Sequence, residues 1–321
     1  MTNPRLCAAL APSLLLFACG GDAGGGAEQA GAARVVVIPK GTTHQFWQAV
    51  DAGAQEAGAA SGLQVVFKGP LQENDRAQQK QLVQQYVAEG VAGIALAPLD
   101  HKALVPEVKR AAAKDIPVVI FDSALDAEAG EDFATFIATD NRKGGELAGA
   151  EMVRLLGGEG KVVVLRYQVG SASTTAREDG FLAVAREAGL EVSVDNRYAG
   201  ATTGEAKTAA LNLADELKQA DGVFCPCEPV TNGMMLALDQ LQMAGALKFV
   251  GFDVTAPLKT GLREDKIHAL VVQDPRRMGR LAVESLQTLI DGGDVPSFVD
   301  TGCVLATKAN MDEPDVAALL K

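Results

Sequence analysis

The segment VVVIPKGTTHQFWQAVDAGAQEAGAASGLQVVF, residues 35–67, decides the fold. It opens on the apolar, β-branched run Val35-Val36-Val37-Ile38 and passes through a helical stretch from Gln45 to Ala60. It closes on a second run, Leu63-Gln64-Val65-Val66-Phe67. Two short strands separated by a crossover of helical length form a βαβ unit, and its strands must be parallel. The first run is apolar at every position, as expected where helices cover both faces of a sheet.

The same alternation continues on the C-terminal side. Gly93-Ile94-Ala95-Leu96, Val118-Val119-Ile120-Phe121 and Thr135-Phe136-Ile137-Ala138 complete a first series of strands. A second series follows with Lys161-Val162-Val163-Val164-Leu165, Glu191-Val192-Ser193-Val194, Gly222-Val223-Phe224-Cys225, Lys248-Phe249-Val250-Gly251 and Ala269-Leu270-Val271-Val272. Helical stretches such as Gly204 to Gln219 lie between them. This pattern predicts an α/β, doubly wound parallel-sheet architecture. Two series predict two similar lobes joined by a multi-strand hinge. The first lobe spans 34–138 plus 274–303, and the second spans 139–273 plus 304–321.

The N-terminal end has a different character. Arg5 precedes an apolar run, Leu6 to Ala18, that is too short to span a bilayer and has the length of a signal-peptide core. Leu16-Phe17-Ala18-Cys19 resembles a lipobox. The reading makes 1–18 a signal peptide, Cys19 the lipidated first residue of the mature chain, and Gly20 to Ala33 a flexible tether. The protein is then expected on the periplasmic or cell-surface side, held to a membrane by its lipid anchor.

A formal net charge of −12 argues against nucleic acid as a partner. Without the leader the cysteines are Cys19, Cys225, Cys227 and Cys303. With Cys19 lipidated, an odd number remains, which is no disulfide framework. Cys225-Pro226-Cys227 lacks the further His or Cys ligands that a zinc site needs. Buried, inert thiols are expected, with no metal and no cofactor.

Open α/β sheets bind ligands beyond the carboxyl ends of their strands. The residues there are Lys40 to Trp47, Pro98-Leu99-Asp100, Asp122-Ser123, Tyr167 to Arg177, Cys227-Glu228, Phe252-Asp253 and Gln273-Asp274. They are rich in charge, amide and aromatic groups and contain no phosphate loop. Carboxylates accept from adjacent hydroxyls, an arginine donates through a planar fork, and aromatic faces suit the C–H face of a sugar ring.

In this order the strand-end residues resemble the type I periplasmic sugar-binding proteins, the ribose-binding group of ABC-transporter receptors, over 34–310. The resemblance implies a binding protein without catalysis that closes over a monosaccharide or polyol and delivers it to a membrane permease, acting as a monomer. Gly41-Thr42-Thr43-His44-Gln45-Phe46-Trp47 resembles the first ligand loop, with one of Phe46 and Trp47 read as a core residue. Val119-Ile120-Phe121-Asp122 and Val250-Gly251-Phe252-Asp253 resemble the strands that end in ligand-binding aspartates, with Ser123 beside the first and Phe252 able to stack. Arg177 matches the arginine that forks onto sugar oxygens, and Gln273 the amide at the last crossing. Asp140 and Asn141 are read as helix caps.

Two positions depart from the family. Cys227 stands where an asparagine is usual, with Glu228 next to it. Lys40 replaces a small hydroxyl residue and is read either as an ion-pair partner of Asp122 or Asp253 or as a contact for an acidic or differently shaped ligand. Three other functions compete. A sugar-responsive repressor would need a helix-turn-helix before the first strand. A hydrolase would need a nucleophile beside His44, which lies in the expected cleft where it could face Asp122. A receptor that signals to a membrane sensor would use the same fold.

Overall fold

The computed structural model describes residues 32–320; Cys19, the signal segment and most of the tether lie outside them. The first lobe contains β1 (Arg34–Ile38), α1 (Gln45–Ser61), β2 (Gln64–Phe67), α2 (Arg76–Glu89), β3 (Gly93–Leu96), α3 (Val105–Ala112), β4 (Val118–Phe121) and β5 (Thr135–Ala138). The chain then crosses into α4 (Asn141–Leu156), β6 (Lys161–Arg166), α5 (Ala172–Glu187), β7 (Glu191–Tyr198), α6 (Thr203–Leu211), α7 (Ala214–Lys218) and β8 (Gly222–Phe224). It continues through α8 (Glu228–Gln240), β9 (Lys248–Phe252), α9 (Ala256–Arg263) and β10 (Ala269–Gln273). Finally α10 (Pro275–Ile290) and β11 (Phe298–Asp300) return to the first lobe, while β12 (Cys303–Thr307) and α11 (Pro314–Leu319) end in the second.

The strand orders are β11-β5-β4-β3-β1-β2 and β12-β10-β9-β8-β6-β7. Each strand of one sheet has its counterpart at the same place in the other, which is the expected duplication. Alternation within strands sets the layers. Val36, Ile38, Ile94, Leu96 and Ile120 pack on one face of the first sheet, and Val35, Val37, Ala95, Val119 and Phe121 on the other. In the second sheet Val163, Leu165, Val223 and Phe249 oppose Val162, Val164, Phe224 and Val250.

Some elements escaped the sequence reading. β11 and β12 are edge strands whose residues are mostly half-buried or exposed, so they carry no apolar run. β12 pairs antiparallel with β10, the one departure from parallel pairing among the named strands described. Its first residue, Cys303, pairs with Gln273, so Cys303 belongs to the second sheet rather than to the first lobe. The helical stretch from Gly204 to Gln219 is broken into α6 and α7.

The chain passes between the lobes at Thr139–Asp140, at Gln273–Asp274 and at Thr301–Gly302. These crossings are tied together: Thr139 Oγ1 donates to the Gly302 carbonyl at 3.1 Å, and the Asp140 N–H to Asp300 Oδ1 at 3.1 Å. After two of the crossings a helix packs on the lobe it enters. Gly145 of α4 meets the backbone at Arg177 of α5, and Gly279 of α10 meets the backbone at Val50 of α1, so closely that a Cβ would overlap the carbonyl.

Candidate functional site

The ends of β4 and β9 build the floor of the cleft. Asp122 and Asp253 follow these strands at the same place in the two lobes, and both take left-handed backbone, with φ of 60° and 67°. Aspartate tolerates this conformation better than most residues. It turns the chain sharply while each N–H still bonds to the next strand, Asp122 to Ile137 O at 2.9 Å and Asp253 to Val271 O at 2.8 Å. The turn leaves both carboxylates on one cavity. That cavity is also lined by Lys40, His44, Phe46, Trp47, Glu73, Tyr167, Ser173, Thr174, Arg177, Cys227, Glu228, Pro229 and Gln273.

In the first lobe Lys40 Nζ lies 2.8 Å from Asp122 Oδ2, with the side chains only 4% exposed. Lys40 also donates to Ser173 Oγ in the other lobe at 2.9 Å. Apart from this ion pair, the buried Asp122 Oδ2 has no hydrogen-bond partner. Lys40 is therefore the ion-pair partner of Asp122.

In the second lobe Arg177 is the centre. Its Nε donates to Asn141 Oδ1 at 2.8 Å, one terminal nitrogen to the Pro226 carbonyl at 3.0 Å, and the other to Gln273 Oε1 at 2.9 Å. The guanidinium carbon sits 4.1 Å above the centroid of the Phe252 ring. Gln273 Nε2 donates to Asp253 Oδ1 at 2.6 Å, and the Glu228 N–H to Asp253 Oδ2 at 2.9 Å. Burial pushes the Asp253 carboxyl above its ordinary value, more than the Arg177 charge and these bonds hold it down.

Glu228 begins α8 and reaches across to the start of α1. Its carboxylate accepts the N–H groups of Gln45 at 3.4 Å and Phe46 at 3.0 Å. Burial pushes it up to about 7, against the charge of His44 and those two amides. Cys227 precedes it as a buried free thiol, and burial drives its pKa well above the ordinary value.

Two predicted ligand residues do not reach the cavity. Ser123 is fully buried, and its Oγ accepts the Ser173 N–H across the lobes at 3.2 Å, so it joins the lobes instead. Phe252 is fully buried beneath the guanidinium, so its ring supports Arg177. Of the aromatic pair, Trp47 is the core member, packed edge-on to Phe121, while Phe46 is half-buried. His44 does not face Asp122; its Nδ1 bonds Glu73 at 2.6 Å. Burial opposes a proton on His44, but the Glu73 bond and the charges of Glu73, Glu228 and Asp253 raise its pKa. Asp140 caps α4 as read, but Asn141 does more, fixing Arg177 and donating to the Asp122 carbonyl at 3.3 Å.

Glu73, Tyr167, Ser173, Thr174 and Pro229 were missed by sequence reasoning. Tyr167, Ser173 and Thr174 lay inside the strand-end stretch from Tyr167 to Arg177, so that signal was present. Glu73 lies in the loop after β2, a strand whose carboxyl end was left out of the strand ends read from the sequence.

Comparison with known proteins identifies the family and the fold. The model of the periplasmic binding protein domain matches residues 35–294. The chain is 35% identical to an ABC transporter solute binding protein from Agrobacterium vitis solved with bound D-fucose, with a TM-score of 0.86, covering 90% of this chain and 100% of that one. It is 31% identical to a carbohydrate transporter solute binding protein from Agrobacterium radiobacter in complex with D-arabinose, with a TM-score of 0.86, covering 91% and 100%. Among curated proteins it is 28% identical over 264 residues to the ribose import binding protein of Bacillus subtilis, covering 82% of this chain and 83% of that protein.

Proposed function

The chain belongs to the periplasmic binding protein family, and from that premise we propose that it captures an uncharged monosaccharide or related polyol between its lobes and delivers it to the permease of an ABC transporter. The observation that carries the choice of an uncharged ligand is the state of the cations. Lys40 is paired with Asp122, His44 with Glu73, and Arg177 is bonded to Asn141, Pro226 and Gln273 with Asp253 4.0 Å away. Among the described lining residues no cation is left for an anionic ligand. The carboxylates of Asp122, Asp253 and Glu228 offer acceptors for hydroxyl donors, and such charge-assisted bonds are worth about 1.5–3 kcal/mol each. Phe46 supplies the apolar surface that a ring's C–H face requires. Binding and orientation are the whole of the chemistry; the side chains hold hydroxyls and move no electrons.

The alignments with solute-binding proteins known with bound sugars support this reading. Resemblance of Leu16-Phe17-Ala18-Cys19 to a lipobox supports attachment through a lipidated Cys19, and loss of membrane attachment in Cys19→Ser checks it. A thermal-shift panel of pentoses, hexoses, inositols, sugar acids and amino sugars tests the ligand class. A ligand at 100 times its dissociation constant adds about 2.7 kcal/mol of stability. Stabilisation by neutral sugars is expected; stabilisation by sugar acids alone would overturn the assignment.

A further inference from the structure

The loop between β2 and α2 carries Glu73, which is 7% exposed. Its Oε1 accepts from His44 Nδ1 and Trp47 Nε1, both at 2.6 Å, and its Oε2 accepts the Tyr167 hydroxyl at 2.9 Å. His44, Trp47 and Glu73 all belong to the first lobe, so this cluster is complete within it. Tyr167 belongs to the second lobe, and its bond to Glu73 forms only when the lobes meet. The neighbouring backbone follows the same seam. Gln168 Nε2 donates to the Glu73 carbonyl at 2.7 Å, and the Arg76 side chain donates to the Val169 carbonyl. Glu178 in turn accepts the Tyr167 N–H at 3.0 Å and fixes the base of that ring.

We propose that Glu73 is the positioning residue of the cleft: it aligns the His44 and Trp47 rings within the first lobe and receives the Tyr167 hydroxyl as the lobes close. The proposal rests on the reading of the cleft as a ligand site that closes. A carboxylate with several donors gains from charge-assisted bonds, and a donor left without it when buried is costly. The Tyr167 bond exists only in the closed form, so its loss lowers the closed population. Apparent affinity then falls by the same factor for every ligand that needs closure. Removing a direct ligand contact would instead change the preference between ligands. The charged groups facing His44 are Glu73 from the β2–α2 loop, Glu228 from α8 and Asp253 after β9, while Lys40 also faces Glu73. Burial opposes the charge on Glu73, but His44, Lys40 and the Trp47 bond hold its pKa down to about 2.

The test uses the full chain with Glu73→Gln and Tyr167→Phe. One readout needs no ligand. The sequence has three histidines and a single tryptophan, so the His44 ring can be assigned by His44→Gln and followed by NMR against pH, with Trp47 emission as a second signal. The His44 midpoint should fall in Glu73→Gln, with a shift in Trp47 emission; an unchanged midpoint would overturn the proposal. In the second readout, the wild type and Tyr167→Phe are titrated with D-fucose and D-arabinose. Tyr167→Phe should weaken both by about tenfold and by the same factor. Unchanged affinity, or weakening confined to one sugar, would overturn the proposal. If neither sugar binds the wild type, the sugar assignment loses support, while the His44 midpoint still decides the role of Glu73.

Discussion

The two lobes place an aspartate at the same strand end, in the same left-handed conformation, yet they hold it differently. In the first lobe Asp122 meets Lys40, a single cation on a flexible aliphatic stem. In the second, Asp253 lies beside Arg177, whose planar fork rests on Phe252 and is bonded to Asn141, Pro226 and Gln273. A compact ammonium leaves Asp122 dependent on one partner. The fork spreads the charge over several acceptors, so the site around Asp253 stays ordered when one bond is lost. The difference predicts that loss of Asp122 is felt mainly in stability, through stranded Lys40, and loss of Asp253 mainly in affinity.

Removing each aspartate would sharpen or break that contrast. Asp122→Ala leaves Lys40, 3% exposed, without its counter-charge. It should lower folding stability by about 3 kcal/mol, because stranding one member of a buried ion pair is strongly destabilising. Denaturant unfolding checks this, and replacing both members by apolar residues should restore most of the loss. Asp253→Ala leaves Arg177 with its other acceptors. Its main effect should be on ligand affinity, a loss of about 2 kcal/mol by calorimetry. If Asp253→Ala proves the more destabilising and Asp122→Ala mainly weakens binding, the contrast is reversed.

A smaller effect is expected from pH. Glu228 crosses from the second lobe to the N–H groups at the start of α1, and in the closed form its carboxyl is raised from 4.5 to about 7. Once the lobes separate, water restores an ordinary carboxyl. The closed form therefore holds a proton that the open form releases, and closure takes up protons between about pH 4.5 and 7. Affinity should fall several-fold as pH rises from about 5.5 to 8, and Glu228→Gln should flatten most of that slope. A slope unchanged in Glu228→Gln would remove Glu228 from the closing step.

Much of the architecture was legible because strand interiors such as Val118-Val119-Ile120-Phe121 are apolar on both faces and alternate with helical stretches, as covered parallel strands do. Edge strands β11 and β12 lacked that signature. At the site, the strand-end rule reached Lys40, Asp122, Arg177, Glu228, Asp253 and Gln273, all of which line one cavity. It misplaced Phe252 and Ser123 because position at a strand end does not say which way a side chain turns. Glu73 was missed because the end of β2 was not among the strand ends considered. In Leu71-Gln72-Glu73-Asn74-Asp75 it reads as one more polar loop residue, and only the fold brings it to His44, Trp47 and Tyr167.

On the proposed function, a neutral sugar is held between the lobes by the two strand-end aspartates. The most direct test is a crystal structure with the neutral sugar that stabilises the protein most. A ring is expected in the cleft against Phe46, with hydroxyls within about 3.5 Å of the Asp122 and Asp253 carboxylates and of Arg177. A sugar bound outside the cleft, or inside it with neither aspartate in reach, would contradict it.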